Sequence, residues 1–184
     1  ATTRLTFESD MDPFVEMDKL LRYMAVDRAF KNWDGVTAFY WYDRPHNYYW
    51  YHDNGTENRF HLIPWDMHKT MWRYDPYMDL VNNYAEIPVP DWNVKPLSCA
   101  RISVWDSGGS QTVMPPGCDH FINLLADVMW NDFAAIGADL LTTSLQYSAM
   151  NEKITAWAAQ IEPLVAEDPN LNVAFWQTTV EDFR

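Results

Sequence analysis

His46-Asn47-Tyr48-Tyr49-Trp50-Tyr51-His52-Asp53-Asn54-Gly55-Thr56-Glu57-Asn58-Arg59-Phe60-His61-Leu62-Ile63-Pro64-Trp65-Asp66 is the stretch whose reading decides the fold. Two aromatic, alternating runs, Tyr48 to Tyr51 and Phe60 to Ile63, flank Asn54-Gly55, a short-range signal for a tight turn between paired strands. Pairing centred near Gly55 or Thr56 sets residue 47 opposite roughly residues 62 to 64, with Asp66 a few residues away at the same end. At about 3.3 Å of rise per residue, Asn47 and Asp66 are then close enough to share one divalent cation. An amide oxygen and a carboxylate are hard ligands, suited to Mg²⁺ or Ca²⁺.

Working outward, Asp12-Pro13 predicts a helix start, because proline is tolerated in the first turn. Phe14, Met17, Leu21, Met24 and Arg28 then mark one face of a helix running to about Phe30. A loop is expected from Asn32 to Arg44. Pro76, Pro88, Pro90 and Pro96 break any helix between Arg73 and Ser98, and a long irregular stretch in a domain points to a functional or partner-covered loop. Phe121, Leu124, Leu125, Val128 and Met129 define an apolar helical face, and a second helix is expected over 138–146. Met150, Ile154, Trp157, Ile161 and Leu164, spaced 4, 3, 4, 3, give the clearest helical period, ended by Asp168-Pro169. The tail with Phe175, Trp176, Val180 and Phe183 reads as a short helix packed on the body. Helices with one small hairpin make a mostly α, α+β chain.

Composition bounds the partners. A chain of 184 residues can form a single domain over 1–184, with a core at 10–166 and a tail at 167–184. The formal net charge of -13 argues against nucleic acid, since phosphates would be repelled rather than neutralised. It leaves room for a cationic partner, a metal, or a nucleotide carried with metal. Ten Trp and ten Tyr serve an aromatic core or, on the sharper reading, stacking against sugars or a protein. No run of 18 apolar residues occurs, so no membrane-spanning segment is expected. The chain opens at Ala1 without a charged-then-apolar leader, and reads as a processed or excerpted soluble chain.

Cys99 and Cys118 bracket a Gly-, Ser- and Pro-rich segment. They read either as two buried thiols or as a bridge closing a loop of about twenty residues, contributing on the order of 3 kcal/mol. Asn54-Gly55-Thr56 is a glycosylation sequon on an exposed turn. Together these signals point to a secreted, extracellular or luminal setting.

Three ordered motifs carry a resemblance: Asn32-Trp33-Asp34 followed by Gly35, then His46-Asn47-Tyr48-Tyr49-Trp50-Tyr51, then Phe60-His61-Leu62-Ile63-Pro64-Trp65-Asp66-Met67-His68. They resemble the CotH family of secretory, atypical protein kinases, whose signature runs roughly N-x-D, H-N-Y-Y-x-Y and F-x-x-I-P-W-D-x-D. The resemblance implies the helical, C-terminal lobe of a protein-kinase-like fold with a central β-hairpin. The ATP-covering N-terminal lobe is expected on another chain or fragment, or lost: there is no G-x-G-x-x-G and no strand lysine of the V-A-I-K type.

The resemblance implies phosphoryl transfer from ATP to an extracytoplasmic protein. Asp34 would orient the acceptor group as the catalytic aspartate, while Asn47 and Asp66 would bind the cofactor through Mg²⁺, or Ca²⁺ or Mn²⁺. Structural alternatives stand beside each role: a loop cap for Asp34, a cap on the strand entry for Asn47, and a helix N-cap or salt-bridge partner for Asp66. The family has a second acid two residues after Asp66, where this chain has His68, a poor ligand for Mg²⁺. The runner-up reading is therefore a catalytically inactive structural or interaction subunit without cofactor, using the kinase-like lobe as a scaffold in a larger assembly. A companion chain supplying the missing lobe would favour the enzyme. Weaker alternatives are a zinc site from His46, His52, His61 and His68 with Asp53 and Asp66, whose spacing matches no metal motif, and a glycosidase using Asp34 and Asp66.

Overall fold

The structure is a computed structural model and describes residues 2–30, 32, 35–37, 40–41, 47–55, 57–67, 99, 102–106, 109–114 and 116–182. The expected loop at 73–98 lies outside the described residues. Two compact units emerge, 1–137 and 138–184.

The first unit opens with α1 (Phe7–Met11) and α2 (Met17–Ala29). The helix expected from Asp12-Pro13 is thus in two pieces. Residues 13–15 leave helical geometry to meet the hairpin: the Phe60 amide donates to the Phe14 carbonyl at 2.6 Å, and Val15 bridges Phe60 in parallel. A strand contact in that position competes with continued helix, and it wins because it satisfies the backbone of both segments. Met17, Leu20, Leu21 and Met24 are buried, whereas Phe14 is exposed, so the buried stripe begins one turn later than the sequence spacing implied. Asp18 in the first turn and Arg28 in the last complement the helix dipole.

β1 (Tyr40–Trp41) falls inside the expected loop. β2 (Tyr48–His52) and β3 (Phe60–Pro64) form the expected antiparallel hairpin, with Tyr48 opposite Pro64 and His52 opposite Phe60. That register centres on Thr56. The connection is not a two-residue turn: the strands end at 52 and resume at 60, and among the described residues between them Asn58 is left-handed, at φ 53°. Asp53 organises it, accepting from the Gly55 amide at 2.9 Å and the Glu57 amide at 3.0 Å. An aspartate that gathers two loop amides removes the need for a primed turn.

The Gly-, Ser- and Pro-rich segment between the cysteines, expected only as a loop that a bridge would close, contains a hairpin. β4 (Ile102–Asp106) pairs with β5 (Gly109–Met114), and β5 pairs with β1, giving the antiparallel order β1-β5-β4. Cys99 and Cys118 are disulfide-bonded, so the bridge ties the open end of that hairpin. A two-stranded ribbon is marginal alone, and both the bridge and the third strand support it.

α3 (His120–Thr142) joins the two helices expected at 121–129 and 138–146 into one. It is kinked at Met129, where φ is -115° and ψ 18°. Asp119 starts it by accepting from the Ile122 amide at 2.9 Å, an N-cap bond. Ile122, Leu125, Ala126, Met129, Phe133 and Ile136 are buried along it. Phe7 and Phe121 bring α1 against its first turn, with ring centroids 5.8 Å apart.

In the second unit, α4 (Tyr147–Glu167) and α5 (Val173–Asp182) pack together, with Gln177 donating to Glu162 at 2.6 Å. α4 ends at Asp168 as the sequence indicated, but its buried residue is Val165, while Trp157, Ile161 and Leu164 are exposed. No helix among the described residues is long and apolar enough to cross a membrane.

Candidate functional site

The hairpin has a mouth and a tip. At the mouth, Asn47 enters β2 and Asp66 follows β3, so the two expected ligands do come to the same end. The Asn47 side-chain amide donates to the Asp66 carbonyl at 3.2 Å, and the Trp65 amide donates to the Asn47 carbonyl at 2.9 Å. Both residues sit in the left-handed region, at φ 65° for Asn47 and φ 50° for Asp66. Asn and Asp are the side-chain-bearing residues that best tolerate it. The strand entry cap weighed for Asn47 is therefore present in one half of its amide: the nitrogen end holds the backbone across the mouth, and that bond fixes which way the carbonyl end is turned. The Asp66 side chain is exposed.

As a donor set for a hard cation, these two residues fit in kind and fall short in number. Both present oxygen. Among the described residues no group of three His, Cys, Asp or Glu side chains gathers to hold a metal. Mg²⁺ tolerates this better than Zn²⁺ does, because it keeps several waters and takes phosphate oxygens alongside one or two protein ligands. The histidine alternative loses support at its described members. His52 stacks on Phe60 with centroids 4.6 Å apart, His61 approaches Glu57 at 3.6 Å, and both Asp53 oxygens are committed to the loop amides. His46, His68 and Asp34 lie outside the described residues. Asn54 is exposed at the hairpin tip.

Beneath the mouth lies a feature that sequence reasoning missed. Asp27, on the last turn of α2, has no exposed surface. Its Oδ1 accepts from the Asn32 side-chain amide at 2.7 Å and from the Tyr23 hydroxyl at 3.2 Å. The Asn32 backbone amide also donates to the Asp27 carbonyl, at 3.0 Å. Its Oδ2 has no hydrogen-bond partner among the described residues. Burial pushes the Asp27 carboxyl up to about 6, against the opposing pull of the Asn32 and Tyr23 bonds and of the Arg28 charge. Tyr23 is raised as well, by burial first and then by the Asp27 charge.

Asn32 is the joint of this arrangement. The same side-chain nitrogen that reaches Asp27 lies 3.6 Å from the Met67 sulfur, one residue beyond Asp66. Gly35 closes over the group: a Cβ there would collide with the Asp27 carboxylate and lie 2.8 Å from Asn32 Nδ2. So the Asn32-to-Gly35 motif is anchored on both sides of Asp34 to one buried carboxylate, and through Asn32 it touches the chain leaving β3. Thr37 is also fully buried, and its carbonyl accepts from Arg28 at 3.3 Å.

A cavity of about 520 Å³ opens on the inner face of the hairpin, bordered by Phe14, Val36, Tyr48, Trp50, Asp119 and Phe121 among others. Its lining residues are mostly apolar, and Tyr48 and Asp119 are the ones among them that bear ionisable groups. Burial, and then the Asp119 charge, push Tyr48 up to about 12, so it stays a neutral phenol in any ordinary buffer. Neither Asn47 nor Asp66 borders this cavity. The outer face of the hairpin carries exposed Tyr49, Tyr51, Ile63 and Trp65, with Tyr49 and Trp65 in edge contact at 5.8 Å.

Comparison with known proteins adds one match. The family model described as CotH kinase protein matches residues 1–182. No curated protein and no solved structure matches the chain.

Proposed function

This chain belongs to the CotH kinase protein family, and on that premise we propose that it is part of a phosphotransferase that moves a phosphoryl group from ATP to an extracytoplasmic protein. Membership implies a kinase-like fold. The observation that carries the finer reading is the meeting of Asn47 and Asp66 at the hairpin mouth, across a 3.2 Å hydrogen bond.

Asn47 and Asp66 would hold the divalent metal on the phosphates, the amide through its carbonyl oxygen and the acid through its carboxylate. When bound, ATP with its metal supplies the transferable group and neutralises charge on it. The role of this chain is then to orient. Asp34 would accept a hydrogen bond from the acceptor hydroxyl and keep its oxygen aimed in line. The Asn47 nitrogen, tied to the backbone beyond β3, keeps the carbonyl end from turning away. The paired cysteines and the exposed sequon at Asn54 support a secreted or luminal place of action. The lobe assignment stands as part of the same proposal: residues 1–184 as the helical lobe, with a companion lobe covering ATP.

The second reading is a scaffold with no transfer activity. It is favoured by His68, which stands where the family has an acid, and by the exposed aromatic face of Tyr49, Tyr51, Ile63 and Trp65, suited to a protein partner.

Glycine substitutions separate the two. Asn47→Gly and Asp66→Gly keep the left-handed backbone and remove the oxygen ligands, Asn47→Gly together with the side-chain hydrogen bond to the Asp66 carbonyl. The assay is incorporation of label from γ-labelled ATP, with Mg²⁺ or Mn²⁺, by the full-length protein together with its companion lobe, into a mixed acceptor preparation. Incorporation that falls on the order of 100-fold in each variant supports the transferase, the size expected for losing one charge-stabilising group. No incorporation by the wild-type protein leaves the scaffold.

A further inference from the structure

We propose that Asp27 is the positioning residue for the Asn32–Gly35 loop: a buried carboxylate that holds Asn32 from below and makes glycine obligatory at 35. Any consequence for Asp34 rests on the transferase reading; the clamp itself does not.

Three observations converge on Asp27. First, it lies on the buried side of α2 with no solvent contact, a costly place for a charge, which a protein retains only when the carboxylate is bound. Second, its Oδ1 takes both the Asn32 amide at 2.7 Å and the Tyr23 hydroxyl at 3.2 Å, while its own carbonyl takes the Asn32 backbone amide. One aspartate thus grips one asparagine at two points, fixing its backbone and its side chain together. Third, Gly35 is packed so closely on this carboxylate that any Cβ would strike it. Asn32 and Gly35, the two residues that flank Trp33-Asp34 in sequence, are thus both held at Asp27.

The arrangement also links the loop to the hairpin mouth. Asn32 Nδ2 meets Met67 at 3.6 Å, immediately after Asp66. Loss of the Asp27 grip would free Asn32 from below and loosen its contact beside Asp66. Asp27 touches no reacting group in this scheme; it acts through Asn32 and Gly35.

Hydrogen exchange on the full chain, read by mass spectrometry over residues 32–37, tests the clamp without any need for activity. Asp27→Ala should speed exchange in that stretch at least about tenfold, the consequence of losing a charge-assisted hydrogen bond, while α3 keeps its protection. Should Asp27→Ala unfold globally, Asp27→Asn and Asn32→Asp supply the test. Asn32→Asp alone removes the donor and sets two carboxylates against each other, whereas Asp27→Asn alone keeps an acceptor oxygen and loses only the charge; the two together restore an amide–carboxylate pair with its direction reversed. Protection regained in the double variant supports the clamp, because a side chain that merely fills space gains nothing from the exchange. Equal exchange in Asp27→Ala and wild type, or a double variant no better protected than Asn32→Asp alone, overturns it. On phosphoryl transfer, Asp27→Asn should lower kcat about tenfold and leave the KM for ATP within a factor of about three. A wild-type protein that transfers nothing ends the transferase reading, and the exchange data still decide the clamp.

Discussion

Asp27→Asn should change the pH dependence of stability in a direction and by an amount set by burial. The carboxyl is raised from 3.8 to about 6 in the folded chain. Because the folded-state value lies above the unfolded one, folding takes up a proton between them. This group's stabilising contribution is full below about pH 3.8, declines as pH rises, and is lost once pH passes about 6. At about 1.4 kcal/mol per pH unit the whole change is about 3 kcal/mol. Asparagine does not titrate, so the variant lacks this decline.

The quantity to measure is the stability of Asp27→Asn minus that of wild type, from urea unfolding at a series of pH values. Between about pH 4.5 and pH 7.5 that difference should climb by about 2 kcal/mol in favour of the variant and then level off. Its absolute offset mixes packing and hydrogen bonding and carries no weight. The slope isolates Asp27, since titrations elsewhere cancel in the subtraction. Tyr23 is raised, not lowered, and it stays neutral throughout the range. A difference constant to within about 0.5 kcal/mol would refute the reasoning, meaning that Asp27 is solvated or ion-paired in the folded protein.

Gly35→Ala should be destabilising by at least about 2 kcal/mol, seen as a lower urea midpoint, because its Cβ would meet the Asp27 carboxylate and the Asn32 amide; combined with Asp27→Ala, part of that cost should disappear. Reduction of the Cys99–Cys118 bridge, which spans 19 residues, should cost about 3 kcal/mol and lower the melting temperature by about 6 to 12 °C in a calorimetric scan. Asp53→Ala strips the acceptor from the Gly55 and Glu57 amides and should cost about 1 kcal/mol, with faster amide exchange confined to 53–59. Leu125→Ala, at a side chain with no exposed surface, should cost about 2 to 5 kcal/mol by leaving a cavity in α3's packing.

The hairpin was legible because two signals agreed: alternating aromatics at 48–51 and 60–63, and turn residues between them. Where only one signal was present, the reading slipped. Ile102-Ser103-Val104-Trp105-Asp106 alternates as a strand should, yet the Gly-, Ser- and Pro-rich surroundings suggested a loop. The β5 pairing to Tyr40–Trp41 is a long-range choice that no local window contains. Pro13 marks a turn rather than a helix start because Phe14 and Val15 are claimed by Phe60, again a distant partner. Periodicity located α4 but not its packed side. Trp157, Ile161 and Leu164 share a stripe and remain exposed, while Val165 is buried. Asp27 was missed for the same reason. The sequence spacing continued the α2 stripe from Met24 to Arg28, whereas the helix buries position 27, three residues on, with the carboxylate turned inward.

The residue types at the hairpin mouth answer two demands at once, and Asn58 shows how to separate them. Asn47, Asp66 and Asn58 are all left-handed, and Asn58 has no part in the proposed chemistry. A backbone that needs positive φ is therefore enough to explain an Asn or Asp in this hairpin, and residue type alone argues nothing about metal. What distinguishes Asn47 and Asp66 is place. They leave the ladder at the same end, joined by a hydrogen bond, and Met67 ties that end to the Asn32 loop. Asn58 lies at the tip, beyond the far end of a ladder whose four steps alone span about 13 Å. Glycine at 58 should leave phosphoryl transfer untouched, whereas glycine at 47 or 66 should lower it on the order of 100-fold with the fold intact. If all three glycines behaved alike, the mouth would be a turn and nothing more, and the case for a cation there would lose its geometric basis.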